Sequence, residues 1–232
     1  MSKPKLSIVL GTLDRPQSFN RLYETVEQYT TVPWEMIVMD AGQQPVVKEL
    51  YPKAIVLEEK PRLGHVKGYN VGFRETQGEW VCWLNDDAEV TPGWAANAID
   101  LMEANENVGL GAFAFCNHNS PFHVERYQGM PYANFGILSK KFGDRIGWFD
   151  EECCGFYGGD NSLAFRTYLA GMTVLPLLDC RIIHKPYNDS YRKDNEARQP
   201  QDASNLMKKY GPYLDAMKRT YHMLEHTLIY ER

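Results

Sequence analysis

The chain has 232 residues, 44% of them apolar and 24% charged, which are ordinary globular values in a length that suits one large domain or one and a half. A net charge of -5 without a basic run argues against a nucleic-acid partner. No apolar stretch approaches the roughly 18 residues of a membrane span, and the apolar residues ahead of Gly11 are too few for a signal peptide. Cysteines 82, 116, 153, 154 and 180 form no C-x-x-C, and the adjacent pair suits no ordinary bridge, so a reduced cytoplasmic protein is expected.

In chain order, Leu6 to Leu10 reads as a buried strand that Gly11-Thr12-Leu13-Asp14-Arg15-Pro16 turns into a helix. Phe19, Leu22, Tyr23 and Val26 recur at helical spacing and form one apolar face. Glu35 to Met39 is a second strand closed by Asp40-Ala41-Gly42, a short helix precedes Pro52, and Ala54 to Leu57 is a third strand. Arg62 to Glu75 reads as partly helical. Its glycines 64, 68 and 72 share one face, where a backbone or a ligand can approach closely.

Trp80 to Leu84 is a fourth buried strand. It runs straight into Asn85-Asp86-Asp87, and Thr91-Pro92 is expected to open the next helix, with Thr91 as cap. Strands alternating with helices over the first 115 residues imply a mostly parallel, doubly wound α/β sheet. Such sheets bind ligands at the carboxyl ends of their strands. Adjacent carboxylates there repel unless a cation or a hydrogen-bonded sugar compensates them, and hard oxygen ligands suit Mg²⁺ or Mn²⁺ bridging to phosphates. The plain alternative is a solvated turn with Asp as turn former.

Residues 116 to 136 show no sustained period and read as loop and irregular strand. Phe142 to Phe149 leads into the acidic turn Asp150-Glu151-Glu152, and Gly158-Gly159-Asp160-Asn161 opens a helix closed by Gly171. Val174 to Leu178 and Cys180 to Ile183 read as short strands before His184, and Lys185 to Gln201 as a polar loop. Asn188-Asp189-Ser190 fits a glycosylation sequon by chance. Tyr210, Leu214, Met217, Tyr221, Leu224 and Leu228 then step by four and three along a last helix, whose opposite face carries Lys218, Arg219, Glu225 and Glu231. That stripe either docks on its own domain or forms a homodimer seam, intramolecular docking being the simpler outcome.

These residues together resemble an inverting, nucleotide-sugar-dependent glycosyltransferase of family 2 with the GT-A fold. Leu6 to Pro16 is similar to the family's first strand and T-x-N-R-P turn, and Ile37 to Gly42 to its second strand. Gly64-His65-Val66-Lys67-Gly68-Tyr69-Asn70-Val71-Gly72 matches G-x-x-x-A-x-N-x-G, with Gly68 at the Ala position. Asn85-Asp86-Asp87 matches the D-x-D region. Trp148 to Glu151 with Tyr157 to Arg166 and Ala170-Gly171 is similar to the F-D-E and E-D-x-D-L-x-x-R blocks. Asn85 for the first Asp, Gly159 for Glu and Ser162 for Asp are departures that bear on metal affinity and donor identity.

The resemblance implies transfer of a sugar, from a UDP-linked donor by family frequency, to an acceptor hydroxyl. The acceptor could be carbohydrate, lipid-linked or protein. Residues 1–115 would bind the donor, 116–186 the acceptor and catalytic groups, and 187–232 would add a loop and a C-terminal helix. Asp160 would be the general base, a role compatible with the plain helix cap that most commonly explains an Asp there. Asp87 and His184 would hold Mn²⁺ or Mg²⁺, against the ordinary reading of His184 as a hydrogen-bonded structural residue. Thr12, Asp14, Asp40, Arg62, Lys67 and Asp86 would bind the donor, with Asp40 on the base and Asp86 on ribose or sugar. Trp148 and Tyr157 are candidates for stacking on an acceptor. Asp40 and Asp86 are expected at the carboxyl ends of two neighbouring strands.

Two other enzymes and one non-enzyme share parts of this pattern. His222-Met223-Leu224-Glu225-His226 fits the inverted zinc-protease motif H-x-x-E-H but lacks room for a third ligand. The first turn echoes the G-T-R-x-x-P loop of sugar nucleotidyltransferases, with Leu13-Asp14 intervening. A catalytically silent nucleotide-sugar-binding protein would tolerate Asn85 and Gly159.

Overall fold

An apolar run with little polar alternation, such as Leu6 to Leu10, has to be covered on both faces. In the computed structural model, which describes residues 3–44, 46, 48–118 and 120–230, that run is the start of a strand near the middle of a single large sheet. It is β1 (Leu6–Thr12), followed by α1 (Pro16–Tyr29), β2 (Trp34–Asp40), a single 3-10 turn (Lys48–Leu50) and β3 (Ala54–Glu58). Next come α2 (His65–Glu75), β4 (Trp80–Trp83), β5 (Ala88–Val90), α3 (Trp94–Ala104) and β6 (Val108–Asn117). A small hairpin of β7 (Arg126–Tyr127) and β8 (Met130–Pro131) precedes β9 (Gly136–Ser139) and α4 (Lys140–Ile146). The chain then runs through α5 (Gly159–Leu169), β10 (Thr173–His184), α6 (Ser190–Glu196), α7 (Gln199–Tyr210) and α8 (Leu214–Leu224).

The 8-stranded sheet has the order β3-β2-β1-β4-β9-β6-β10-β5. The first four strands are mutually parallel. β9 runs antiparallel to both β4 and β6, β10 is parallel to β6, and β5 lies antiparallel on the far edge. The mostly parallel α/β sheet is therefore present, with two reversed strands that the sequence does not announce. Asp40 ends β2 and Asp86 follows β4, and β1 lies between those two strands, so they are not neighbours. Both residues nonetheless sit at the carboxyl ends of their strands.

Alternate residues of β1 serve opposite layers. Leu6, Ile8 and Leu10 pack with α1 and α3, including Phe19, Leu22 and Trp94. Val9 faces the other layer, with Phe73 of α2, Leu163 of α5 and the C-terminal helices. Gly72 explains how closely α2 approaches: a Cβ there would stand 2.5 Å from Val9 Cγ1.

Several local expectations are revised. Thr91 does not cap α3; it turns with Pro92 into Gly93, which adopts a left-handed conformation (φ 77) before the helix, while Thr91 Oγ1 donates to the Arg181 carbonyl at 3.0 Å. The two late strands are one continuous β10, with a register shift between Leu177 and Arg181 that interrupts its apolar pattern. Lys185 to Gln201 is not all loop: Asp189 caps α6 by accepting from the Arg192 amide at 2.9 Å. As the Gly-Pro pair at the start of the last helix implies, Gly211-Pro212 separates α7 from α8.

Tyr210, Met217 and Tyr221 of the C-terminal stripe are buried in the α2/α5 layer, and Leu228 packs on the opposite layer. The stripe thus docks on its own domain; Glu231 of its other face lies outside the described residues. No helix among the described residues is long and apolar enough to cross a membrane. The cysteines are free and buried.

Met217 has no exposed surface, so Met217→Ala should lose about 2–5 kcal/mol of stability in urea unfolding. An unchanged midpoint would show that α8 is not part of the folded core.

Candidate active site

Turns at the carboxyl ends of β1, β2 and β4 converge on one cavity of about 280 Å³. After Thr12 the chain turns through Asp14, which has a positive φ of 54, and presents Arg15 just before α1. Arg15 reaches in two directions. Its Nη1 lies 3.3 Å from Asp86 Oδ1 and 4.0 Å from Asp87 Oδ2, while Nε and Nη2 donate to Asp189 Oδ2 at 3.0 and 2.7 Å. Thr12 Oγ1 donates to the other Asp86 oxygen at 2.9 Å. Burial, reinforced by the neighbouring Asp87, pushes the Asp86 carboxyl up to about 6, against the opposing pull of Arg15 and Thr12.

Asp87 is bound differently. The antiparallel pairing of β5 with β10 sets His184 opposite Ala88, and His184 Nε2 stands 3.1 Å from Asp87 Oδ1. The other ring nitrogen, Nδ1, is 2.7 Å from Asn117 Oδ1, an acceptor, so the proton of a neutral His184 belongs on Nδ1. Nε2 then offers a lone pair toward a carboxylate oxygen. Although the two atoms are close, Asp87 Oδ1 is buried without an aligned hydrogen bond. Two facing lone pairs are satisfied by a positive charge between them, either a second imidazole proton or a cation. Among the described residues no set of three or more His, Cys, Asp or Glu side chains is arranged for a metal ion, so a cation there would need ligands from a bound molecule.

Across the cavity, Gly158 takes a left-handed conformation (φ 84) and starts α5, which places Asp160 in its first turn. Asp160 lines the cavity, half-buried, and accepts from the Asn161 amide at 2.8 Å. Desolvation by the surrounding protein, with Glu125 adding repulsion, pushes its carboxyl up to about 6. The loop before it is held from α7: Asp202 accepts from the Gly155, Phe156 and Tyr157 amides at 3.1, 2.9 and 2.9 Å. Asp150 anchors the same region. It is buried among Arg166, Lys209 and the Tyr210 hydroxyl, at 3.2, 2.8 and 2.6 Å, and these partners hold its carboxyl down at about 2 despite burial.

Of the residues anticipated from sequence, Thr12, Arg62, Asp86, Asp87, Tyr157, Asp160 and His184 all line this cavity. Four others do not. Asp14 accepts from the Gln43 and Gln44 amides and from the Tyr191 hydroxyl. Asp40 is buried, with its two oxygens taken by the Gly42 and Val46 amides at 2.9 and 2.7 Å, the turn-capping role of an Asp at a strand end. Lys67 points outward from α2 as an exposed side chain. Trp148 is a core residue, stacked on Phe73 with ring centroids 4.5 Å apart.

Sequence reasoning passed over Arg15, although it stands in the first turn directly before a helix-starting Pro16. It also passed over Glu59, Asp189, Asp202 and the α6 residues Tyr191 and Asn195. No local pattern marks these. Asp189 lay inside a segment whose polarity reads as loop, yet α6 forms a cavity wall, tied to Arg62 through Asn195 Oδ1 at 3.1 Å. His222 and His226 are exposed and pair with Glu225.

Residues 7–169 match the family described as Glycosyl transferase family 2. The chain is 28% identical over 229 residues to YwdF, an uncharacterized glycosyltransferase of Bacillus subtilis (strain 168), covering 89% of this chain and 84% of that protein. An uncharacterized glycosyltransferase of Haemophilus influenzae is 27% identical over 108 residues, 45% of this chain and 37% of that one. In three dimensions the chain is similar to the mannosyltransferase PcManGT from Pyrobaculum calidifontis, solved in complex with GDP-Man and Mn²⁺. The TM-score is 0.68 at 16% identity, over 95% of this chain and 70% of that one. S. aureus TarS 1-349 in complex with UDP-GlcNAc gives a TM-score of 0.67 at 14% identity, over 88% and 66%. At such identities the likeness is one of fold, and the fold is GT-A.

Asp150→Asn leaves Arg166 and Lys209 facing a neutral amide and should lose about 3 kcal/mol at pH 7. Because the folded carboxyl is held down, its contribution is complete above the unfolded value of 3.8 and fades as pH falls toward about 2. Urea unfolding should therefore show the gap between variant and wild type narrowing only below about pH 4.

Proposed function

The chain belongs to glycosyl transferase family 2, and on that premise we propose that it moves a sugar, with inversion, from a nucleoside diphosphate-sugar to an acceptor hydroxyl. The observation that carries the reading is one cavity holding Asp86, Asp87 and His184 on one side and a carboxyl with a raised pKa, Asp160, on the other. In the proposed step the acceptor oxygen forms a bond to the anomeric carbon on the face opposite the diphosphate. The bond from that carbon to the diphosphate oxygen breaks, with its electron pair leaving on the diphosphate. The hydroxyl proton passes to Asp160. A carboxylate with a pKa near 6 is ionised at neutral pH and is a stronger base than an ordinary one.

The unaligned Asp87 oxygen and the free Nε2 of His184 fit a hard divalent cation, Mn²⁺ or Mg²⁺, completed by donor phosphate oxygens. When bound there, the ion would supply positive charge against the diphosphate leaving group. Asp86, already engaged by Thr12 and Arg15, is suited to accept hydrogen bonds from ribose or sugar rather than to ligate. Residues 1–115 supply most of the donor cavity and 116–186 supply Asp160. The last part, 187–232, contributes the α6 wall and, through Asp202, the position of the catalytic loop. UDP is the proposed nucleotide.

Asp160→Asn should lower kcat by about 10²–10⁴-fold with donor affinity retained. In the wild type kcat/KM should rise with pH, levelling off above about 6, because the base works only when deprotonated. A flat profile between pH 5 and 7.5 with D160N active would remove Asp160 from this role.

Asp87→Ala should abolish the Mn²⁺-dependent part of UDP affinity in calorimetry while stability changes little. Equal Mn²⁺-dependent affinities in variant and wild type would contradict the metal assignment.

A further inference from the structure

Asp40 is buried, each of its oxygens already accepts from a backbone amide, Gly42 or Val46, and it does not line the cavity. Another carboxylate at the same edge does line it. Glu59 follows β3, its amide bonded to the Asp40 carbonyl at 2.8 Å, and its side chain lines the cavity beside Arg62. Its two oxygens have separate tasks. Oε1 accepts from the Leu63 and Gly64 amides, which fixes the carboxylate at the start of α2. Oε2 has no hydrogen-bond partner among the described residues, although Glu59 is only 7% exposed. This oxygen borders the open cavity, where it is available to accept from a donor on a ligand.

Gly68 makes room for it. A Cβ at position 68 would lie 2.9 Å from Glu59 Oε2, closer than side-chain atoms tolerate. Position 68 is also where the G-x-x-x-A-x-N-x-G pattern has Ala, so this chain lacks the methyl group that would push the carboxylate aside.

Resting on the donor reading above, we propose that Glu59 Oε2 is the base-reading group and accepts the imide N3–H of uracil. The chemistry discriminates. Uracil offers a single N–H at that edge, matching a single free oxygen. Cytosine offers a ring nitrogen lone pair there, which a carboxylate repels. Guanine offers two N–H donors in a row and is best met by a carboxylate with both oxygens free.

Glu59→Gln tests this without disturbing the loop, because the amide oxygen still accepts from Leu63 and Gly64 while an NH₂ replaces Oε2. Calorimetry with Mn²⁺ and UDP, CDP or GDP should show UDP weakened about tenfold or more in E59Q, and CDP strengthened. Gly68→Ala, which favours the helix, should weaken UDP similarly through displacement of the carboxylate, with thermal stability retained. UDP binding equally to wild type, E59Q and G68A overturns the Glu59 assignment and leaves the transferase reading intact. Wild type preferring GDP or CDP over UDP overturns the uracil assignment. A wild type that binds no nucleoside diphosphate, with or without Mn²⁺, overturns the donor reading and this inference with it.

Discussion

A buried pair of adjacent carboxylates is the constraint on which this architecture turns. Asp86 and Asp87 are 3% and 7% exposed, and like charges so enclosed repel each other and lose hydration. Arg15 is the fixed compensation. Because its guanidinium carries donors on several edges, it faces both carboxylates and still binds Asp189. That single side chain ties the turn after β1 to the turn after β4 and to the start of α6. The compensation is incomplete, as the raised Asp86 carboxyl and the unaligned Asp87 oxygen show, and a site that remains short of positive charge is ready for a cationic or hydrogen-bonding ligand.

Much of this was legible because local patterns coincide with tertiary demands. The apolar runs ending in Asp40 and Asp86 are strand ends because a buried strand has to become polar where it leaves the sheet. The Phe19, Leu22, Tyr23, Val26 face is buried as its spacing requires. What could not be read depends on partners distant in sequence. Glu59 looks like one charge among several in Glu58-Glu59-Lys60, and only the amides of Leu63 and Gly64 give it a fixed orientation. α6 has few apolar residues, so its order comes from the Asp189 cap, the Arg15 pair and Tyr191 on Asp14, none of which leaves a periodic trace. β9 is four residues long and Gly136 opens it, which is too short for alternation to register. Trp148 illustrates the opposite error, an aromatic beside site residues whose ring belongs to the core.

The two sides of the cavity are supported by different physics. On the side of Asp86 and Asp87, backbone amides and carboxylates at strand ends set positions directly. On the Asp160 side the support is remote: Asp202 on α7 gathers three successive amides of the loop, and Asp150 joins Arg166 of α5 to Lys209 and Tyr210 of α7. A charged group with several short hydrogen bonds is stiff. The helices after residue 198 therefore act as a brace for the loop before Asp160 as well as a cover for apolar surface.

The strand order has a bearing on how the chain is made. β9 sits between β4 and β6 in the sheet but leaves the ribosome after both. During synthesis β4 and β6 are exposed with the gap between them unfilled, and direct pairing of the two would exclude β9 and misplace everything beyond it. The carboxylate pair likewise waits for Asp189, 174 residues beyond Arg15, before its ion network closes. Contacts of such long range fold slowly. The nascent protein accordingly carries two uncovered inner sheet edges, open to wrong pairing, until β9 has emerged at Ser139, and its ion network closes only with Asp189.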